Sequence, residues 1–288
     1  MKRILITGAN SYIGTSFENY MSQFGSDYQI ETVDMRDNDW MNTEFSGYDA
    51  IIHVAGIVHV KEKNDSLYYQ VNRDLAYETA KKAKADGVKQ FVFFSSMSVF
   101  GMDTGIITNA TTPNPKTPYG KSKLAAEELL KGLESDSFTV CILRPPMIYG
   151  PGSVGNYPRL AKLARKISVF PKVNNRRSML YINNLSFFLK LAIDSKLAGI
   201  FHPQNKEYVN TSELVKLIAD ANGKKVILIP GFSGIINIVS SPIGIFRKVF
   251  GTLVYHENTI GYPGSITSNV KLDYQEKNLN DSILETER

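Results

Sequence analysis

Tyr119 and Lys123 stand four residues apart in TPYGKSKLAAEELL, a run of strong helix formers, so both side chains fall on one helix face. A tyrosine with its ordinary pKa of about 10 is a poor acid or base at neutral pH. An ammonium beside it favours the phenolate and draws that pKa toward the working range. Upstream, KQFVFFSSMSVFG ends an apolar run with hydroxyls at Ser95, Ser96 and Ser98. One of them could hydrogen-bond the oxygen of a reacting alcohol or carbonyl while the tyrosine moves its proton. Alone, a Y-x-x-x-K pair is commonly a coincidence of a helix surface, so its meaning depends on what precedes it.

What precedes it is TGANSYIG at residues 7–14, between a strand-like run and a helical one. In that setting the amides at a helix N-terminus bind a pyrophosphate. Gly8 would make the tight turn and Gly14 would let helix and strand pack closely, while Ser11 stands where a third glycine would be expected, in the spacing G-x-x-S-x-x-G, which is not G-x-G-x-x-G. Asp34 closes the second strand, 20 residues after Gly14, where a carboxylate can accept hydrogen bonds from the adenosine ribose. Its charge repels a 2′-phosphate, so NAD(H) is expected over NADP(H), although Arg36 could pair with such a phosphate. A glycine turn, an acidic strand end, a serine-ended strand and Y-x-x-x-K, in that order, describe hydride chemistry on a dinucleotide. Lys123 would then also hold the nicotinamide ribose.

These residues need a frame. The apolar runs KRILITG, YQIETVD, YDAIIHVAG, KQFVFFSS and FTVCILRP alternate with helical stretches near 14–24, 66–86 and 118–134. That alternation predicts right-handed crossovers and a doubly wound (Rossmann) parallel α/β sheet. Beyond RPPMIYGPG the rhythm breaks into helices near 156–167, 183–195 and 211–222. We therefore expect a dinucleotide domain at 1–152 and a smaller mixed α/β substrate lobe at 153–288, with part of the later chain returning to the first domain. Charged residues make up 21% of the chain, and the net charge of +5 reads as lysines spread along it. Lys81, Lys82 and Lys84 read as a solvated helix face, not a nucleic-acid patch. One cysteine, Cys141, excludes an internal disulfide, and no Cys/His spacing points to a metal. Residues 226–246 carry no charge, but their prolines, glycines and serines argue for a strand and a buried helix, with weak membrane contact through 232–254 as the competing expectation.

Through these motifs the chain resembles the extended short-chain dehydrogenase/reductases, the NAD-dependent epimerases and dehydratases that act on nucleotide sugars. The resemblance implies that Gly8, Asn10, Ser11, Tyr12, Ile13, Gly14, Asp34, Arg36, Ala55, Gly56 and Asn72 serve the cofactor, together with Tyr119 and Lys123. Aligning the closing VFG of SSMSVFG gives Ser96 the catalytic hydroxyl. Ser96, Ser98, Met147, Asn156 and Arg177 are implied on the substrate side, Arg177 at the diphosphate. It also implies a cytoplasmic homodimer pairing through 66–86 and 118–134.

Departures from the family pattern narrow the reaction. Where 4,6-dehydratases carry an Asp-Glu pair, this chain has Met97 and Ser98, which cannot run an elimination. RPPM stands where galactose-type epimerases have a YFNP-like segment, with Met147 at the asparagine. The expected activity is reduction of a UDP-4-keto-6-deoxy-(N-acetyl)hexosamine at C4 for surface polysaccharide. A UDP-hexose or UDP-N-acetylhexosamine 4-epimerase with retained NAD would use the same three residues. A non-catalytic dinucleotide sensor is the remote third reading, because such relatives commonly lose the tyrosine or the lysine.

Overall fold

The computed structural model describes residues 1–58, 64–231, 250–267 and 269–288. Its central sheet has six strands: β1 (Lys2–Thr7), β2 (Tyr28–Val33), β3 (Ala50–His53), β4 (Gln90–Phe94), β5 (Thr139–Leu143) and β6 (Gly199–Phe201). All pairings are parallel and the order is β6-β5-β4-β3-β1-β2. The helices are α1 (Tyr12–Met21), α2 (Asp65–Tyr69), α3 (Leu75–Ala85), α4 (Pro118–Lys131), α5 (Asn156–Ala164), α6 (Ile182–Asp194), α7 (Thr211–Ala221) and α8 (Leu279–Thr286). A π turn at Gln70–Asp74 joins α2 to α3. The strands are nearly all apolar because both faces are covered. Ile4, Ile6, Ile52 and Val92 face the side that holds Phe17 and Phe188. Leu5, Ile51, Phe91 and Phe93 face Ala76, Ala80, Ala126 and Leu130 on the other.

Between β2 and β3 the chain runs through a short 3₁₀ turn, Asn38–Asn42, and among the described residues no further strand extends the sheet beyond β2. The interval is too short for another strand with its crossovers. The later chain joins the sheet as β6, and the Gln90 amide fixes that return by donating to the carbonyls of Ala192 (3.0 Å) and Leu197 (2.9 Å).

Short strand pairs build the remainder. Met147–Tyr149 lies beside Met179–Tyr181, Val169–Pro171 beside Ile227–Ile229, and Gly105–Ile107 beside Leu253–Tyr255. Of the 232–254 membrane contact, residues 232–249 lie outside the described residues, as does most of the proposed buried helix. Leu253–Tyr255 is a buried strand and so cannot face lipid. Among the described residues no helix is long and apolar enough to cross a membrane. In the lysine cluster, Lys81 pairs with Glu78, Lys82 with Asp86, and Lys84 donates to the Leu133 carbonyl.

Two local devices position the site. The first is the cap of α1: Ser11 is extended (φ −75°, ψ 140°) and its Oγ accepts from the Gly14 amide at 3.1 Å. The second anchors α4. Glu127, fully buried, accepts from Arg144 Nε at 2.9 Å and from Arg144 Nη2 at 2.5 Å, and takes a short hydrogen bond from Ser95. It ties α4 to the ends of β4 and β5 at once.

Each device predicts a stability effect. Ser11→Ala should cost about 1 kcal/mol and Ser11→Gly only a few tenths, as at other N-caps; equal losses in urea unfolding would refute the cap. Glu127→Gln strands the Arg144 charge and should cost about 3–5 kcal/mol. A loss well below that range would show that the pair does not anchor α4.

Candidate active site

In a parallel sheet all carboxyl ends share one edge, and ligands bind there at the point where strand order reverses. Here β2 lies on one side of β1 and β3 on the other, so the reversal falls between β1 and β3. The TGANSYIG turn leaves β1 at that point. Gly8 has φ +129°, and a Cβ there would come within 2.7 Å of the Ala55 amide nitrogen, so only glycine lets the two loops meet. Asn10 takes the left-handed conformation (φ 59°) that asparagine tolerates. A Cβ at Gly14 would sit 2.6 Å from Ser11 Oγ, so this glycine makes room for the cap. The amides of Tyr12 and Ile13, in the first turn of α1, have no intrahelical acceptor. Ser11 Oγ is committed as an acceptor to Gly14, and only its proton remains for a phosphate.

At the end of β2, Arg36 folds back onto Asp34, donating from Nε (2.9 and 3.0 Å) and, by a short contact, from Nη2. That hydrogen bonding holds the Asp34 carboxyl down to about 2, so it is ionised. The turn, the free amides and the carboxylate together fit a dinucleotide.

Tyr119 and Lys123 come from α4, whose start is set by Thr117: its Oγ1 accepts from the Gly120 amide at 3.1 Å, with Pro118 opening the helix. A Cβ at Gly120 would lie 2.7 Å from the Ser98 carbonyl oxygen. That close approach brings Tyr119 onto Ser96. Burial pushes the Tyr119 hydroxyl above its ordinary value, and a hydrogen bond with Ser96 pulls the other way.

The Lys123 ammonium lies 4.7 Å from the centre of the Phe93 ring, and burial brings it down to about 7 against the pull of Glu127. The same ammonium helps keep the buried His53 neutral. Gly56 leaves room beside it, since a Cβ there would be 3.3 Å from Lys123 Nζ. Asn72 fixes this corner from the π turn: its amide donates to the Ile57 carbonyl and Ser122 Oγ and accepts from the Ile57 amide at 2.9 Å.

The three serines now separate. Ser95 is spent on Glu127, Ser96 caps the Met97–Phe100 turn and meets Tyr119, and the buried Ser98 hydroxyl has no partner among the described residues. Farther out, half-buried Met147 pairs in register with Met179. Arg177 donates to the Gly251 carbonyl at 3.2 Å, with Asp103 nearby. Asn156 is exposed at the start of α5 and makes no hydrogen bond to Ser96, Tyr119 or Lys123. Glu127 and Arg144 were not foreseen, although 119, 123 and 127 share one helix face and the spacing could have revealed the glutamate.

The model of the NAD dependent epimerase/dehydratase family matches residues 4–200. The UDP-glucose 4-epimerase of Vibrio cholerae is 30% identical over 80% of this chain and 78% of its own length. An Escherichia coli O157:H7 epimerase of N-acetyl-α-D-glucosaminyl-diphospho-ditrans,octacis-undecaprenol is 27% identical over 77% and 73%. The GDP-6-deoxy-D-mannose reductase of Pseudomonas aeruginosa is 25% identical over 76% and 80%. Among solved structures, a Bacillus cereus UDP-glucuronic acid 4-epimerase with NAD has TM-score 0.72 at 18% identity, covering 98% of this chain and 96% of its own. A Pseudomonas aeruginosa protein complexed with NADPH also has TM-score 0.72, at 19% identity, covering 100% and 98%. The glycine turn at the switch point, the Ser96–Tyr119–Lys123 cluster and the matched 4–200 span lead to one conclusion: the chain belongs to the NAD-dependent epimerase/dehydratase family of NAD(P)-dependent enzymes.

Proposed function

We propose that this enzyme reduces the C4 ketone of a nucleotide-diphosphate sugar, a UDP-4-keto-6-deoxy-(N-acetyl)hexosamine, for surface-polysaccharide synthesis. The observation that carries the reading is that Tyr119 meets Ser96 at the carboxyl edge of the sheet, where the glycine turn also opens. A neutral phenol can give up a proton, which reduction of a ketone requires. When bound, the nicotinamide supplies hydride to C4 of the sugar. Tyr119 gives its phenolic proton to the C4 oxygen, and Ser96 hydrogen-bonds that oxygen as charge develops on it. Lys123, once protonated, holds the ribose and stabilises the phenolate left behind. Arg177 and Asn156 are taken to meet the diphosphate, and Ser98 and Met147 the sugar. The ionised Asp34 supports NAD(H) over NADP(H), because a 2′-phosphate would face its charge.

A 4-epimerase is the second reading, favoured by the Vibrio cholerae relative. There Tyr119 would first take the C4 proton and later return it. In either case we take the enzyme to work in the cytoplasm as a homodimer through α2–α3 and α4, where Leu129 stands exposed.

Two variants test the assignment. Tyr119→Phe should cut turnover at least about 100-fold while leaving cofactor binding intact; unchanged turnover would sink the role and revive a non-catalytic sensor. Lys123→Met should also lose turnover, yet be more stable. The buried lysine binds its proton with a pKa of about 7 when folded, against 10.5 ordinarily, so its burial costs most below pH 7 and progressively less up to pH 10.5. The stability gained, on the order of a few kcal/mol at pH 6, should therefore shrink as pH rises through that window. A gain independent of pH would contradict it.

A further inference from the structure

The lysines are spread along the chain, but the acids are not. No Asp or Glu occurs between Asp136 and Asp194, nor between Asp220 and Glu257, while Arg and Lys occur within both stretches. The fold brings these two stretches side by side, through the parallel pairing of Val169–Pro171 with Ile227–Ile229. The register sets Val169 opposite Ile227 and Pro171 opposite Ile229, so these four side chains share one face of the ribbon. That face is open: Val169 is 52% exposed, Ile227 67% and Ile229 38%.

The chain entering the ribbon carries complementary chemistry. On α5 and the turn after it, Arg159, Lys162, Leu163 and Lys166 follow helical spacing and are all exposed, while Tyr157, Ala161 and Ala164 turn inward. Lys172 and Lys225 are exposed beside the two strands. Among the described residues Lys162, Lys166, Lys172 and Lys225 form no ion pair. Arg165 is neutralised by Glu287, at 2.8 Å. The nearby acid is Glu213, which borders the hollow lined by Lys172 and Pro230.

We propose that this ribbon and the outer face of α5 form a docking surface for an anionic lipid bilayer. An apolar strip with exposed lysines beside both strands, unpaired among the described residues, fits a surface that is negative outside and apolar beneath: the lysines meet headgroup phosphates and the Val/Ile strip enters the interface. A protein partner would be expected to answer such lysines with its own carboxylates in fixed positions, whereas a bilayer needs only the charge and the apolar strip. Docking goes beyond the reaction proposed above and does not depend on it.

The test is sedimentation of the purified full chain with phosphatidylcholine vesicles, with and without phosphatidylglycerol. Anionic vesicles should bind it at least about tenfold more tightly, because each lysine near such a surface contributes roughly a fivefold factor. Changing Lys162, Lys166 and Lys225 together to Glu should abolish that preference. The same charge change at the exposed Lys89, Lys196 and Lys206, outside α2–α5 and the ribbon, should leave it largely intact. Ile227→Ser with Ile229→Ser should remove the binding that persists at high salt. Equal partitioning to both vesicle types, or equal loss from both triple variants, would overturn the proposal. Turnover of a soluble sugar nucleotide, measured on each variant, reports folding and the reaction separately from docking.

Discussion

The site depends on one buried ion pair. Glu127 takes both arms of Arg144 and the hydroxyl of Ser95, so three elements meet at one carboxylate. Arg144 also lies over the Phe100 ring, and its carbonyl accepts from Tyr255 at 2.7 Å, which ties the Leu253–Tyr255 strand to the same point. Removing two such charges from water is costly, and the attraction compensates only where hydrogen bonds satisfy every atom. Here Glu127 accepts three hydrogen bonds, and the return is geometric. Tyr119, Lys123 and Glu127 occupy successive turns of one helix face, so fixing the glutamate fixes the tyrosine against Ser96.

Much of this was legible in the sequence. Four of the five strands of the first half were visible as apolar runs, because burial on both faces leaves little alternation, while the edge strand YQIETV alternates and is only half-buried. Gly8 and Gly14 could be recognised as turn and packing residues, although the atoms they admit, the Ala55 amide and Ser11 Oγ, could not. What the sequence hid was partnership. KQFVFFSSMSVFG offers three hydroxyls of equal merit, and only the fold spends Ser95 on Glu127. Y-x-x-x-K does not reveal that the lysine ammonium also lies over Phe93, or that burial lowers its pKa. Ser11 read as a substituted glycine and turned out to be a helix cap.

The electrostatics of the site share one physical cause. Withdrawal from water favours the neutral form of each group: the phenol keeps its proton, and Lys123 and His53 tend to lose theirs. A corner made of groups kept from charging costs stability and is poised to change when an anion-bearing ligand enters.

In the proposed reaction, hydride reaches C4 of a nucleotide-diphosphate sugar with Tyr119 as the acid. The most direct measurement uses NAD(P)H carrying deuterium at the transferable position of its nicotinamide, incubated with a UDP-4-keto-6-deoxyhexosamine, with the product read by NMR. Reduction predicts one deuterium at sugar C4 for each cofactor oxidised, and none with Tyr119→Phe. Deuterium at another carbon, or cofactor oxidation without transfer to the sugar, would contradict the account.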